Sequence, residues 1–320
     1  MKKPKFWKKR SNIFDVILKP LSIIYILLSL LNTAFKKEKR MKVPVLCVGN
    51  LIMGGAGKTP TVIAISDLLV KNFNLIHILM RGYKGKNSKA KLVDENDNIA
   101  SVGDEALIHF ENNQVCISRN RYIGAELCQK NGADLIILDD GFQSKHIVKN
   151  LSFVVVDNYF QFGNKKVFPA GPLREPLFLG FKRADAVILI KNIEDKIFDL
   201  SFSKLPIFFA KKVIILPKLK KKNALAFCGI GNPENFFQSL KDYKVNVKHK
   251  LIFPDHHMYE EKEIKNIIKS AEKSDLQILT TKKDFIKIHK KYHSKIKMVD
   301  MYIKFEKEEK LKQFILSNLK

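Results

Sequence analysis

A lysine and a threonine that follow a glycine-rich turn are the residues of this sequence with the clearest chemistry. Gly54, Gly55, Ala56 and Gly57 lead directly into Lys58 and Thr59. Glycines let backbone N–H groups turn inward around an anion, and the start of a helix offers its positive end. A lysine there reaches terminal phosphates, and the threonine hydroxyl can ligate magnesium. The usual pattern places another glycine five residues before Gly57, where this chain has Ile52. The surroundings outweigh that gap, because an apolar strand precedes the turn. After it, Val62, Ile63 and Ile65 continue an apolar helical pattern, with Pro60 in the first turn, where no N–H partner is lost.

Carboxylates and arginines recur at the ends of the other apolar runs. Four apolar residues, 135–138, end in Asp139-Asp140-Gly141. An apolar strand ending in aspartate is weak evidence alone, since Asp-Gly also makes turns. Beside Gly57-Lys58-Thr59 it becomes the expected magnesium partner. Arg81-Gly82-Tyr83, Arg119, Arg121 and Asp157 each stand just beyond an apolar run. Asp104 and Glu105 open a helical segment, where two carboxylates are commonly capping residues that favour the helix dipole. The segment 168–176 holds too many prolines for a helix or a central strand and reads as a rigid loop carrying Arg174. The adjacent His256 and His257 point in different directions with no further ligand cluster nearby, so a metal site there is disfavoured.

These residues need a scaffold that brings strand ends to one edge. Strands are expected at 75–80, 115–118, 135–138, 153–156, 186–190 and 207–210, alternating with helical patterns. That alternation predicts an α/β fold with a P-loop NTPase-like parallel sheet covered on both faces. Ligands in such sheets gather beyond the carboxyl ends of the strands. A lysine-rich stretch, 217–222, reads as a linker to a smaller C-terminal α/β domain with its own glycine turn at Gly229-Ile230-Gly231. The expected domains are therefore 1–40, 41–218 and 219–320.

The N-terminal segment differs in kind. Lys8, Lys9 and Arg10 precede an apolar stretch from Ile13 to Phe35, broken by Asp15 and Lys19-Pro20, and Lys36, Lys37, Lys39 and Arg40 follow it. The clean apolar run, 21–35, is short for a bilayer span, and no small-residue cleavage site follows. A membrane-associated helix lying in the interface, with flanking cations meeting acidic headgroups, is expected.

The chain has 320 residues, 46% of them hydrophobic, with a formal charge of +26. This suits a globular protein of more than one domain and excludes a disordered one. Charge alone admits nucleic acid, an anionic membrane surface or an anionic substrate. The lysines are dispersed and no nucleic-acid motif is present, so no nucleic-acid partner is expected. Four scattered cysteines without a CxxC pair read as buried thiols in a reducing compartment.

Taken in order, Val48-Gly49-Asn50-Leu51, Gly54 through Pro60, Arg81-Gly82-Tyr83, Gly103-Asp104-Glu105, Leu138-Asp139-Asp140-Gly141-Phe142-Gln143, Pro169 through Pro176, Phe227 through Pro233 and Asp255-His256 resemble the tetraacyldisaccharide 4'-kinase family. These are inner-membrane enzymes of lipid A synthesis in Gram-negative bacteria. The resemblance covers nearly the whole chain, and it makes Ile52 a family feature. Ala106 departs from it, standing where the family has proline. The resemblance implies ATP- and Mg2+-dependent phosphorylation of the 4'-hydroxyl of tetraacyldisaccharide 1-phosphate, a membrane glycolipid, at the cytoplasmic face of the inner membrane. It also assigns roles. Gly54, Gly55, Ala56, Gly57 and Lys58 hold the phosphates; Thr59, Glu105, Asp139 and Asp140 serve magnesium. Asp104 takes the hydroxyl proton with support from His256, while Arg81, Tyr83, Arg119, Arg121 and Arg174 meet substrate or transition-state charge. A membrane-recruited regulatory ATPase is the rival class, but it commonly carries an extra lysine near position 53, where this chain has Met53.

Overall fold

The computed structural model describes residues 4–8, 13–34, 37–87, 89–191 and 198–319. The chain divides into two compact units, one of residues 3–212 with 303–320 and one of residues 213–302. The expected C-terminal domain, 219–320, thus differs from the observed unit at both ends. Its last eighteen residues return to the larger unit because they carry an apolar face that packs there.

In the larger unit the helices α1 (Ile13–Ile17) and α2 (Lys19–Ala34) come first, followed by β1 (Val45–Gly49) and α3 (Lys58–Leu69). The chain continues through β2 (Ile76–Met80), β3 (Lys91–Leu92), α4 (Ile99–Val102), α5 (Asp104–Phe110), β4 (Gln114–Ile117) and α6 (Arg121–Lys130). Next are β5 (Leu135–Asp139), β6 (Leu151–Asp157), α7 (Leu177–Phe181), β7 (Ala186–Lys191) and β8 (Ile207–Ile215). Their order across the sheet is β8-β7-β6-β1-β5-β2-β4-β3, parallel throughout except for the short β3. In the central register Val48 lies beside Asp139 and Leu79 beside Leu138, which brings the ends of β1, β5 and β2 level.

Side chains alternate across the sheet, so β1 feeds two cores at once. Leu46 and Val48 pack with Val62, Ile65 and Leu69 of α3, whereas Val45 and Cys47 pack on the opposite face with Ala125 and Cys128 of α6. All four cysteines are buried free thiols, as their spacing implies.

In the smaller unit β9 (Asn223–Cys228), α8 (Pro233–Asp242), β10 (Asn246–Ile252), α9 (Glu261–Lys273), β11 (Gln277–Thr281), α10 (Lys282–Phe285) and β12 (Ile296–Phe305) make a parallel sheet of order β10-β9-β11-β12. Under its glycine turn Lys287 and Asp284 form a fully buried ion pair at 3.2 Å, and Asp284 also accepts from the Gly229 amide.

The closing helix α11 (Glu308–Asn318) lies with α3, its Leu311 and Ile315 buried in the core that backs β1. Leu311 has no solvent exposure, so truncation leaves a cavity behind the glycine turn. Leu311→Ala is expected to lower unfolding stability by about 2–5 kcal/mol in urea titrations. A change below about 0.5 kcal/mol would show that α11 is not part of this core.

Candidate active site

The turn between β1 and α3 is shaped by two demands on its glycines. Gly57 has φ +85°, and a Cβ there would stand 2.7 Å from Ile190 Cδ1; Gly54 has φ +98°. Both conformations favour glycine. The proline-rich loop braces the turn from outside. The Met53 amide donates to Pro172 O at 2.7 Å, the Arg174 amide to Leu51 O at 2.8 Å, and Arg174 Nε to Ile52 O at 3.1 Å. Ile52 is buried and bridges Leu173, which is why a branched side chain sits where the general pattern has glycine. Asn50, wholly buried, donates from Nδ2 to Gly54 O at 3.3 Å.

Past this turn, β5 delivers two carboxylates with different surroundings. Asp139 is buried, and its Oδ2 accepts from Thr59 Oγ1 at 3.1 Å and from His109 Nε2 at 2.9 Å. Its other oxygen, Oδ1, is buried without a partner among the described residues. Asp140 follows in a left-handed conformation, φ +55°, and turns to the cations. Arg174 donates to it through two nitrogens at 2.7 and 3.1 Å, and Lys58 Nζ lies 3.6 Å away. Gln143 completes the frame, accepting from Arg174 at 3.0 Å and donating to Asn50 O at 3.0 Å.

Burial would push the Asp140 carboxyl up, but the charges of Lys58, Arg174 and Arg121 outweigh it and hold the group well below the usual carboxylate range. Burial lowers the Arg121 guanidinium from its ordinary value, against the pull of Asp140 and Asp139.

The sequence candidates separate in the structure. Lys58, Thr59, Asp139, Asp140 and Arg174 come together. Asp140, expected among the magnesium residues, has both oxygens engaged by Arg174, whereas Asp139 Oδ1 has no partner among the described residues. Arg121, expected to meet phosphate, is buried instead and donates to Ser118 O at 2.6 Å and Asp139 O at 3.5 Å, fixing backbone. Arg81 and Arg119 are exposed just beyond β2 and β4, and Tyr83 is exposed nearby in sequence. Asp104 and Glu105 open α5, where Asp104 is buried and accepts the Glu105 amide at 2.9 Å. In the smaller unit His256 Nε2 lies 3.2 Å from Lys283 Nζ. An ammonium only donates, so Nε2 accepts and the ring proton sits on Nδ1. His257 goes elsewhere, bonding Glu263 at 2.9 Å and stacking on Phe253.

Sequence reasoning missed His109 and gave Gln143 no role. His109 stands four residues after Glu105, one helical turn along, and that spacing was its only signal.

A parallel sheet with a glycine turn after its central strand, a Lys-Thr pair opening the next helix and an aspartate ending the neighbouring strand define an α/β protein of the P-loop NTPase-like class. The profile of the Tetraacyldisaccharide-1-P 4'-kinase family (LpxK) matches residues 14–320. A tetraacyldisaccharide 4'-kinase of Paramagnetospirillum magneticum is 39% identical over 292 residues, 90% of each chain. The enzyme of that name from Bradyrhizobium diazoefficiens is 35% identical over 328 residues, covering 100% of this chain and 97% of its own. The crystal structure of the "apo" form of LpxK from Aquifex aeolicus in complex with ATP superposes with a TM-score of 0.76 at 30% identity, over 96% of this chain and 100% of that one. The chain belongs to the tetraacyldisaccharide 4'-kinase family.

The environment of Asp140 has a pH consequence. A carboxyl depressed in the folded state contributes stability above its unfolded pKa of about 4, and that contribution is lost as pH falls through and below this value. Wild-type unfolding free energy is therefore expected to fall more steeply between about pH 5 and pH 3 than that of Asp140→Asn. Asp140→Asn is also expected to be the less stable at neutral pH, because Lys58 and Arg174 lose their counter-charge. Parallel pH profiles in urea titrations would rule the interaction out as a stability contribution.

Proposed function

We infer that the chain is an ATP-dependent kinase that transfers the γ-phosphoryl group to the 4'-hydroxyl of tetraacyldisaccharide 1-phosphate. The observation that carries this reading is the pair of contrasting carboxylates at the end of β5, one set against Lys58 and one with an oxygen unpaired beside Thr59. Phosphates entering the turn compete with Asp140 for Lys58 and meet the amides of residues 54–57. Thr59 and Asp139 fit magnesium, because a buried anionic oxygen without a partner beside a hydroxyl is the donor set a hard cation takes. Glu105 is the third candidate on the facing helix. Among the described residues no cluster of three or more His, Cys, Asp or Glu is assembled in advance, in keeping with a cation that draws its remaining ligands from phosphate and water. When bound, magnesium supplies neutralisation of phosphate charge.

The sugar hydroxyl oxygen forms the new bond to the γ-phosphorus as the bond to the bridging oxygen breaks, releasing ADP, and Asp104 accepts the hydroxyl proton. His256 is the second catalytic candidate, a group that can stabilise charge as the proton moves. Arg81, Tyr83 and Arg119 are the candidates for substrate or transition-state charge.

The anionic acceptor in a membrane also accounts for the basic chain and its N-terminus. Eleven large apolar side chains of α1 and α2, from Ile13 to Leu31, are 44–69% exposed. Among the described residues no helix is long and apolar enough to cross a membrane. The sixteen residues of α2 extend about 24 Å, short of the roughly 30 Å hydrocarbon core. An apolar groove beside α2, lined by Ile26, Val167, Phe178 and Phe181 with Lys165 and Lys182, suits an acylated, phosphorylated substrate. The location that fits this reading is the cytoplasmic face of the inner membrane.

Two experiments test these statements. With labelled ATP and an acylated disaccharide 1-phosphate in detergent, the wild type is expected to label lipid. Lys58→Ala should lose about a thousandfold or more in kcat, and Asp104→Ala and His256→Ala should each lose activity strongly while retaining ATP, with a double variant less than additive. Inorganic phosphate as the sole product would replace the kinase by the regulatory ATPase, and near-normal turnover by folded Asp104→Ala would remove it as base. For the membrane, the exposed apolar side of α2 is tested by changing Ile24, Leu28 and Leu31 together to Ser. This variant is expected to lose binding to anionic vesicles while keeping its melting temperature within a few degrees. Unchanged vesicle binding at high salt would place the anchor elsewhere.

A further inference from the structure

We propose that His109 is a positioning residue for the metal side of this site: it holds Asp139 and, through α5, sets Glu105 against it. The proposal rests on the reading that Asp139 serves magnesium.

Three observations carry it. His109 and Asp139 are both buried, at 0% and 2% side-chain exposure, with Nε2 2.9 Å from Oδ2. A carboxylate accepts, so Nε2 bears the proton and donates. The other ring nitrogen, Nδ1, is buried without a partner among the described residues, as is Asp139 Oδ1. A position that needed only volume would be filled more stably by leucine, whereas an imidazole with one unpaired nitrogen costs free energy to bury. The single bond to Asp139 is what the histidine supplies.

That bond leaves one carboxylate oxygen uncommitted. Thr59 and His109 both donate to Oδ2, so the carboxylate cannot rotate without losing two hydrogen bonds, and Oδ1 is presented in one direction. The helix geometry extends the effect. His109 lies four residues after Glu105, hence on the same helix face and about 6 Å further along the axis. Fixing His109 to the end of β5 therefore fixes the helix that carries Glu105 and Asp104. Outer partners that orient ligating groups commonly change metal affinity by about 10- to 100-fold when removed.

The test uses the whole chain with Mn2+ and a non-hydrolysable ATP analogue, reading free Mn2+ by electron paramagnetic resonance. His109→Leu and His109→Asn, which cannot reach Asp139, are expected to weaken Mn2+ binding about 10- to 100-fold. Binding of the analogue without metal should stay within twofold. His109→Gln, whose amide reaches the carboxylate, is expected to recover most of the affinity. Wild-type Mn2+ affinity in folded His109→Asn or His109→Leu would overturn the proposal, as would equal weakening in the Gln and Asn variants. Should the Leu variant fail to fold, the Asn and Gln pair decides. Asp139→Asn separates the two levels: if it too binds Mn2+ like the wild type, the magnesium reading of Asp139 falls, whereas loss in Asp139→Asn without loss in the His109 variants sinks the positioning role alone.

Discussion

At the end of β5 two adjacent carboxylates meet different partners: Lys58 and Arg174 hold the Asp140 carboxyl ionised, while a hydroxyl and an imidazole hold Asp139. The charges are arranged unequally. Arg174 binds Asp140 with two nitrogens and Lys58 approaches it from the helix, so Asp140 compensates the cations. Asp139 accepts from a hydroxyl and an imidazole at one oxygen, and its other oxygen has no partner among the described residues. Side chains one residue apart can diverge this far because Asp140 adopts a left-handed turn that aims it away from the strand.

This charge arrangement constrains the chain around it. The turn that carries Lys58 needs glycines because Ile190 crowds Gly57, and it needs a brace because its carbonyls at Leu51 and Ile52 would otherwise lack donors. Arg174 supplies the brace, with its amide and Nε on those carbonyls and its remaining nitrogens on Asp140. A lysine at position 174 could not make these contacts together, since they depend on a planar fork of several donors. Behind the turn, α3 is backed by α11, so the last residues of the chain stabilise the first functional element.

Much of this was legible in residue types. The glycine turn, Lys58-Thr59 and the apolar run ending in Asp139 carry their chemistry in local order, and the alternation of strands and helices gave the parallel sheet. What was not legible depended on distant parts meeting. Arg121 and Arg174 look alike as strand-end or loop arginines, yet one is buried on backbone carbonyls and the other bridges the turn to Asp140. Asp139 and Asp140 are indistinguishable in sequence, because their difference lies in a backbone dihedral and in cations supplied by residues far along the chain. His109 sits among the apolar residues that follow Glu105 in α5, where a lone histidine carries no signal until its partner across the fold is known. The return of 303–320 to the larger unit was hidden for the same reason, since an amphipathic helix does not name the surface it covers.

One loop ties the proposed membrane side to the proposed chemistry. Val167 O accepts from Ser22 Oγ at 2.8 Å and the Ala170 amide donates to that same hydroxyl oxygen at 3.2 Å, so a polar residue pins one face of α2 to the start of the loop. Tyr25 packs edge-on against Phe168, with ring centroids 5.6 Å apart. Four residues beyond Ala170, Arg174 holds the glycine turn and Asp140. The docked face of α2 is thus satisfied by hydrogen bonds and aromatic packing, whereas Leu21, Ile23, Ile24, Leu27, Leu28 and Leu31 stay 50–61% exposed on its other sides. A helix attached in this way cannot rotate to bury them against the fold without breaking the Ser22 contacts. On the proposed reading, lipid is what covers them, and the shortness of the loop holds the bilayer surface at a fixed distance from the residues that meet phosphate.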